Sequence, residues 1–125
     1  MRGVTTDARH TLGRRGEELA AEHFERLGYE VLARRHRTRF GELDLVVRDG
    51  GALVFVEVKT RRPGPGHPFD ALDPAKQQQV RRMAIAWMHD APRHPFFESV
   101  RFDAVGVVVT ADGRLVSLDH LEGAF

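Results

Sequence analysis

The chain has 125 residues, 42% hydrophobic and 30% charged, the size and balance of a globular domain with a single core. Its net charge of +1 gives no global basic field to announce a nucleic-acid partner, and no apolar run approaches the roughly 20 residues of a membrane span. The lack of cysteine excludes disulfides, thiolate metal sites and a cysteine nucleophile.

The opening MRGVTTDARH has no apolar signal core, so a cytoplasmic location is expected. Residues 1–9 read as a flexible N-terminal arm and residues 10–125 as a single domain. A first helix is expected from Thr11 to Leu27, because Leu12, Gly16, Leu19, Ala20, His23, Phe24 and Leu27 share one face at helical spacing. Gly28 is its natural stop. Tyr29 to Arg37 reads as a strand. Leu43–Val47 and Leu53–Lys59 read as two more, joined at Arg48-Asp49-Gly50-Gly51, a tight-hairpin signal. Arg62 to Pro68 (RPGPGHP) predicts a mobile loop. Asp73 and Pro74 open a second helix as N-cap and first helical residue. That helix is expected to reach His89 and to end before Pro92. A strand from Val100 to Thr110, a turn at Ala111-Asp112-Gly113 and a last strand from Leu115 to Leu118 complete the order αβββαββ. This is an α/β fold with a central mixed sheet flanked by helices.

FGELDLVVRDGGALVFVEVKTR places Glu42, Asp44, Glu57 and Lys59 among apolar strand residues, where a charge is costly unless paired. Strand alternation puts Glu42 with Asp44 on one face and Glu57 with Lys59 on one face. A two-residue loop at Asp49-Gly50 sets Glu42 opposite Glu57. A loop at Gly50-Gly51 instead sets Asp44 opposite Glu57 and Glu42 opposite Lys59. Either register gathers all four on one sheet face, whereas a three-residue loop scatters them.

Facing carboxylates repel unless a cation sits between them. All-oxygen ligands point to a hard divalent ion, Mg²⁺ first and Mn²⁺ second, with Asp44 and Glu57 as ligands. Lys59 could hold or help deprotonate the attacking water, or offset charge building on phosphorus oxygens. The bland alternative is a structural ion-pair cluster with Lys59 bridged to Glu42. The combination of both strands in phase favours phosphodiester hydrolysis.

Asp44 followed by Glu57-Val58-Lys59 resembles the D…(D/E)-x-K signature of the restriction-endonuclease-like (PD-(D/E)XK) nuclease superfamily. GRRGEELAAEHFERLGYEVLARR, FGELDLVV, FVEVKTR, RFDAVGV and HLEGAF resemble the YraN-like family, uncharacterised protein family 0102, from about residue 12 to the end. Archaeal Holliday-junction resolvases share the order of helix glutamate, strand aspartate and E-x-K. That resemblance implies a metal-site role for Glu17 and a homodimer. Glu17 also lies at the edge of the apolar helix stripe, about 20° from Phe24 at ~100° per residue.

Seventeen of the 19 basic residues are arginine, and the lysines are Lys59 and Lys76. Lys76, in the first turn of the second helix, opposes the helix dipole. It either pairs with Asp73 or forms a phosphate-binding corner with free backbone N–H groups. Arg34, Arg35, Arg37 and Arg39 precede the site and Arg61 and Arg62 follow it, as candidate grips on a nucleic-acid backbone. Arg61 is the better placed of the following pair. Arg101 and Asp103 read as a structural ion pair. His36 is the one histidine near the site, and no HExxH, GxxxxGK or GxSxG motif is present. The expected function is therefore a Mg²⁺-dependent endonuclease acting on DNA, branched or flapped DNA included, with Asp44, Glu57 and Glu17 on the metal, Glu42 completing the carboxylate ring and Lys59 assisting. The alternatives are a non-catalytic or partner-dependent nucleic-acid-binding module, and an assembly factor whose arginine surface meets acidic proteins.

Overall fold

The structure, a computed structural model, describes residues 2–90 and 96–125, with side chains from residue 8 onward. In chain order the elements are α1 (Arg2–Arg26), β1 (Glu30–Thr38), β2 (Gly41–Asp49), β3 (Ala52–Arg61), a 3-10 turn (Pro68–Ala71), α2 (Pro74–Asp90), β4 (Ser99–Val109) and β5 (Leu115–Leu121). The order αβββαββ stands as expected. The five strands lie in the order of the sequence, with β3 and β4 parallel and the other neighbours antiparallel. The parallel pair is the one joined through a helix, as a parallel connection requires.

Leu19, Ala20, Ala21 and Phe24 of α1 pack on Val54, Val56, Val58, Val105 and Val107. Val80, Met83, Ala84 and Trp87 of α2 pack with Leu43, Val46, Leu53 and Phe55. The helices thus cover opposite faces of the sheet, a three-layer arrangement. Among the described residues no helix is long and apolar enough to cross a membrane.

Several boundaries follow the local chemistry. Gly28 has φ 91° and donates to the Glu25 carbonyl, while Tyr29 N–H reaches back to Phe24, the paired hydrogen bonds of a Schellman stop. Asp73 Oδ1 accepts the Lys76 N–H at 2.8 Å, the expected N-cap. Pro68 opens a 3-10 turn instead of extending the loop, because the His67 side chain caps it. α2 is described as far as Asp90, and its expected end before Pro92 lies outside the described residues.

One boundary is corrected. Backbone helix begins at Arg2, so residues 2–9 extend α1 instead of forming a loose arm. Nothing between Gly3 and Gly13 breaks a helix, and the apolar stripe beginning at Leu12 marks only where the helix meets the core.

Candidate functional site

The β2–β3 hairpin turns at Gly50-Gly51, pairing Asp49 with Ala52, with Gly50 at φ 56°. This is the second of the two registers the sequence allowed, and it aims Asp44 towards Glu57. The ladder, however, stops at Leu45 opposite Val56. Beyond it Asp44 enters with its side chain: Oδ2 accepts the Val58 N–H at 2.8 Å. Leu43 packs on the α2 side and Leu45 on the α1 side, although two residues apart in a regular strand share a face. The expected single charged face is therefore corrected. Both faces are covered by helices, and the acids meet where β2 parts from β3.

α1 closes the site from one side. A Cβ on Gly16 would sit 1.8 Å from Thr60 Oγ1, so the helix backbone lies directly against β3 beside Lys59. That approach turns Glu17 to the site, while Glu18 and Glu25 pair outward with Arg15 and Arg34. Carboxylate oxygens of Glu17, Glu42 and Asp44 lie within 4.8 Å of one another, a trio that could hold a metal ion.

The electrostatics agree with such a role. The Asp44 carboxyl is pushed well above its usual range, first by burial and then by the charge of Glu57, against the opposing Val58 hydrogen bond. Glu17 is also raised by burial and by Glu42 and Glu57, with Arg35 and Arg14 pulling the other way. These are like charges held close, the condition that a cation relieves.

Glu57 is 3% exposed, beside Asp44, and is held by two ammoniums, Lys59 at 3.6 Å and Lys76 at 3.5 Å. Lys76 also reaches Gln79 at 3.3 Å. Asp73 therefore takes the Lys76 backbone, and the ammonium goes to the site. A cavity of about 650 Å³ opens over these groups, with Arg14 and Arg35 in its wall.

The remaining basic residues divide. Arg35 lines the cavity at φ 44°, the one non-glycine with positive φ among the described residues. Arg37 and Arg39 are exposed beyond the cavity wall, with Arg39 over the Phe40 ring at 5.1 Å. Arg61 is engaged elsewhere, donating to Pro65 O at 2.7 Å and His67 O at 3.4 Å, so it folds the 62–67 loop back. His36 stands outside the cavity wall. Arg101 and Asp103 form the expected ion pair at 2.7 Å, with His120 added at 2.7 Å. Sequence reasoning missed Arg14. Its signal was present, three residues before Glu17 on the same helix face.

Residues 16–107 match the model of Uncharacterised protein family UPF0102. The chain is similar to the UPF0102 protein of Streptomyces griseus, 48% identical over 94% of this chain and 98% of the relative. It is 45% identical to that of Acidothermus cellulolyticus, over 97% and 98%, and 44% identical to that of Nocardia farcinica, over 94% and 91%. With a family match spanning most of its length and relatives matched nearly end to end, the chain belongs to the UPF0102, or YraN-like, family.

Proposed function

We propose that this protein is a divalent-metal-dependent endonuclease hydrolysing phosphodiester bonds of nucleic acid, with DNA as substrate. One observation carries the reading: three carboxylates at ligand spacing adjoin a buried glutamate paired with two lysines at the open end of a hairpin. An all-oxygen, mutually repelling donor set fits a hard ion, Mg²⁺ with Mn²⁺ as substitute.

Glu17, Glu42 and Asp44 would hold the ion, and Glu57, beside Asp44, would be the further ligand. When bound, the ion supplies Lewis-acid polarisation of a phosphoryl oxygen and a nucleophile at neutral pH. Lys59 holds the attacking water and offsets charge developing on the phosphorus oxygens. Lys76, which meets Glu57 from the α2 side at 3.5 Å, adds a second positive charge beside the site. Arg14 and Arg35 grip the phosphate backbone at the cavity mouth.

The test is a panel of labelled single-stranded, duplex, flapped and branched DNA, incubated with pure protein in Mg²⁺ or Mn²⁺. Metal-stimulated cutting, abolished in Asp44→Ala and Lys59→Ala, is the expected result. No cutting of any substrate in either metal overturns the reading and leaves the binding-module alternative.

A further inference from the structure

A second cleft, of about 780 Å³, lies between α1 and the β4–β5 turn. It meets the carboxylate cavity at Leu12, which lines both. Its apolar surface comes from Leu12 and Leu115, over the buried Val109, and its lining also carries Arg15, Arg62 and Arg114. Asp112 is the one acid in its lining, and it is already held by the Thr110 hydroxyl and by Arg114 Nε at 3.3 Å.

The arginines are differently restrained. Arg15 Nε donates to Gly113 O at 2.9 Å, which fixes one planar guanidinium in the wall. Arg62 is exposed, and no carboxylate among the described residues pairs with it. It follows β3 three residues after Lys59, about 10 Å at ~3.3 Å per extended residue. A short stretch of extended strand spans that distance.

We propose that this cleft is a subsite for an unpaired nucleotide of the nucleic-acid strand whose phosphodiester lies at the carboxylates, so the inference rests on the nuclease reading. The chemistry selects the occupant. A phosphodiester strand alternates anions with flat apolar bases, and the cleft combines guanidinium groups with aliphatic surface. Arginine planes stack on base faces as well as pairing with phosphate. A duplex buries its base faces in its own stack and could use only the arginines. An unpaired nucleotide uses both the arginines and the aliphatic surface, which makes flapped or branched DNA the preferred substrate class.

Fluorescence anisotropy in EDTA tests this without turnover, using a blunt duplex and the same duplex with a single-stranded flap. The wild-type protein is expected to bind the flapped form at least tenfold more tightly. Arg62→Ala/Arg114→Ala, both at exposed positions, is expected to lose most of that preference, and Leu115→Asn to lose it without any change of charge. Equal wild-type affinity for the two forms overturns the subsite. So does an equal weakening of both in the variants, which marks the arginines as general phosphate contacts. Either failure leaves metal-dependent cutting intact, whereas failure of the nuclease reading registers as no Asp44-dependent cutting by a protein that still prefers flaps.

Discussion

Asp44→Asn is the substitution that most sharply separates a metal centre from a structural cluster. Asp44 lies within 4.8 Å of the Glu17 and Glu42 oxygens. One fully ionised pair at that distance costs about 3.5 kcal/mol at an effective dielectric of about 20. Proton uptake by Asp44, whose carboxyl is raised by burial, Glu57 and Glu17, caps the cost. A net gain of about 1 kcal/mol is therefore expected from the neutral amide, about 4 °C in Tm for a domain of this size. The amide oxygen still accepts the Val58 N–H. The sign follows from linkage: a carboxyl raised in the folded state stabilises fully below its ordinary value of 3.8 and loses that contribution as pH rises through its folded pKa. The gain from Asn should therefore be absent near pH 3.5 and present at pH 7 in EDTA. Added metal should reverse the ranking. At ten times its Kd an ion stabilises the wild type by about 1.4 kcal/mol, about 6 °C, and the variant by under 2 °C. Thermal melts in EDTA and in Mn²⁺ read both effects. A variant less stable than wild type in EDTA at pH 7, or one with the full metal shift, refutes the reasoning.

Gly16→Ala should cost about 2 kcal/mol by forcing α1 off Thr60 and should shrink the metal-induced stabilisation, both read by urea melts with and without Mn²⁺; Thr60→Ala should recover part of the loss, and an unchanged midpoint contradicts the packing. Lys59→Ala and Lys76→Ala each leave Glu57 one ammonium, so the double variant should cost about 3 kcal/mol, more than the sum of the singles. Adding Glu57→Gln should restore most of it, and simple additivity in the double-mutant cycle rejects the shared-carboxylate picture. His23 is held below its ordinary 6.5, by burial first and then by His120 and Arg26. Its contribution is present above 6.5 and is lost as pH falls through its folded pKa, so melts should drop below about pH 6.5, less steeply in His23→Gln. Identical pH profiles would exclude His23 as the cause.

The local signals in the sequence were strong where one residue decides the backbone. Gly28 and Asp73 fix a helix end and a helix start by positive φ and by capping, and both were legible. The hairpin was legible as a hairpin but not in register, because Asp49-Gly50 and Gly50-Gly51 are equally good turns. The gathering of Glu42, Asp44, Glu57 and Lys59 followed from alternation in either register, yet alternation could not reveal that the ladder ends at Leu45 and Val56. That parting depends on Asp44 replacing a backbone acceptor with its carboxylate, a tertiary event without a periodic signature. Arg61 shows the same limit: its guanidinium is taken by carbonyls of a loop whose path no spacing rule gives. Glu17 was legible from its wheel position, and Arg14, three residues earlier on the same face, carries the same signal.

A crystal of the protein soaked in Mn²⁺, with anomalous scattering recorded, addresses the central claim most directly. A peak among the oxygens of Glu17, Glu42 and Asp44, lost in an Asp44→Asn crystal, is the predicted result. Ordered carboxylates with no peak at saturating Mn²⁺, or an ion bound elsewhere and indifferent to Asp44, would contradict it.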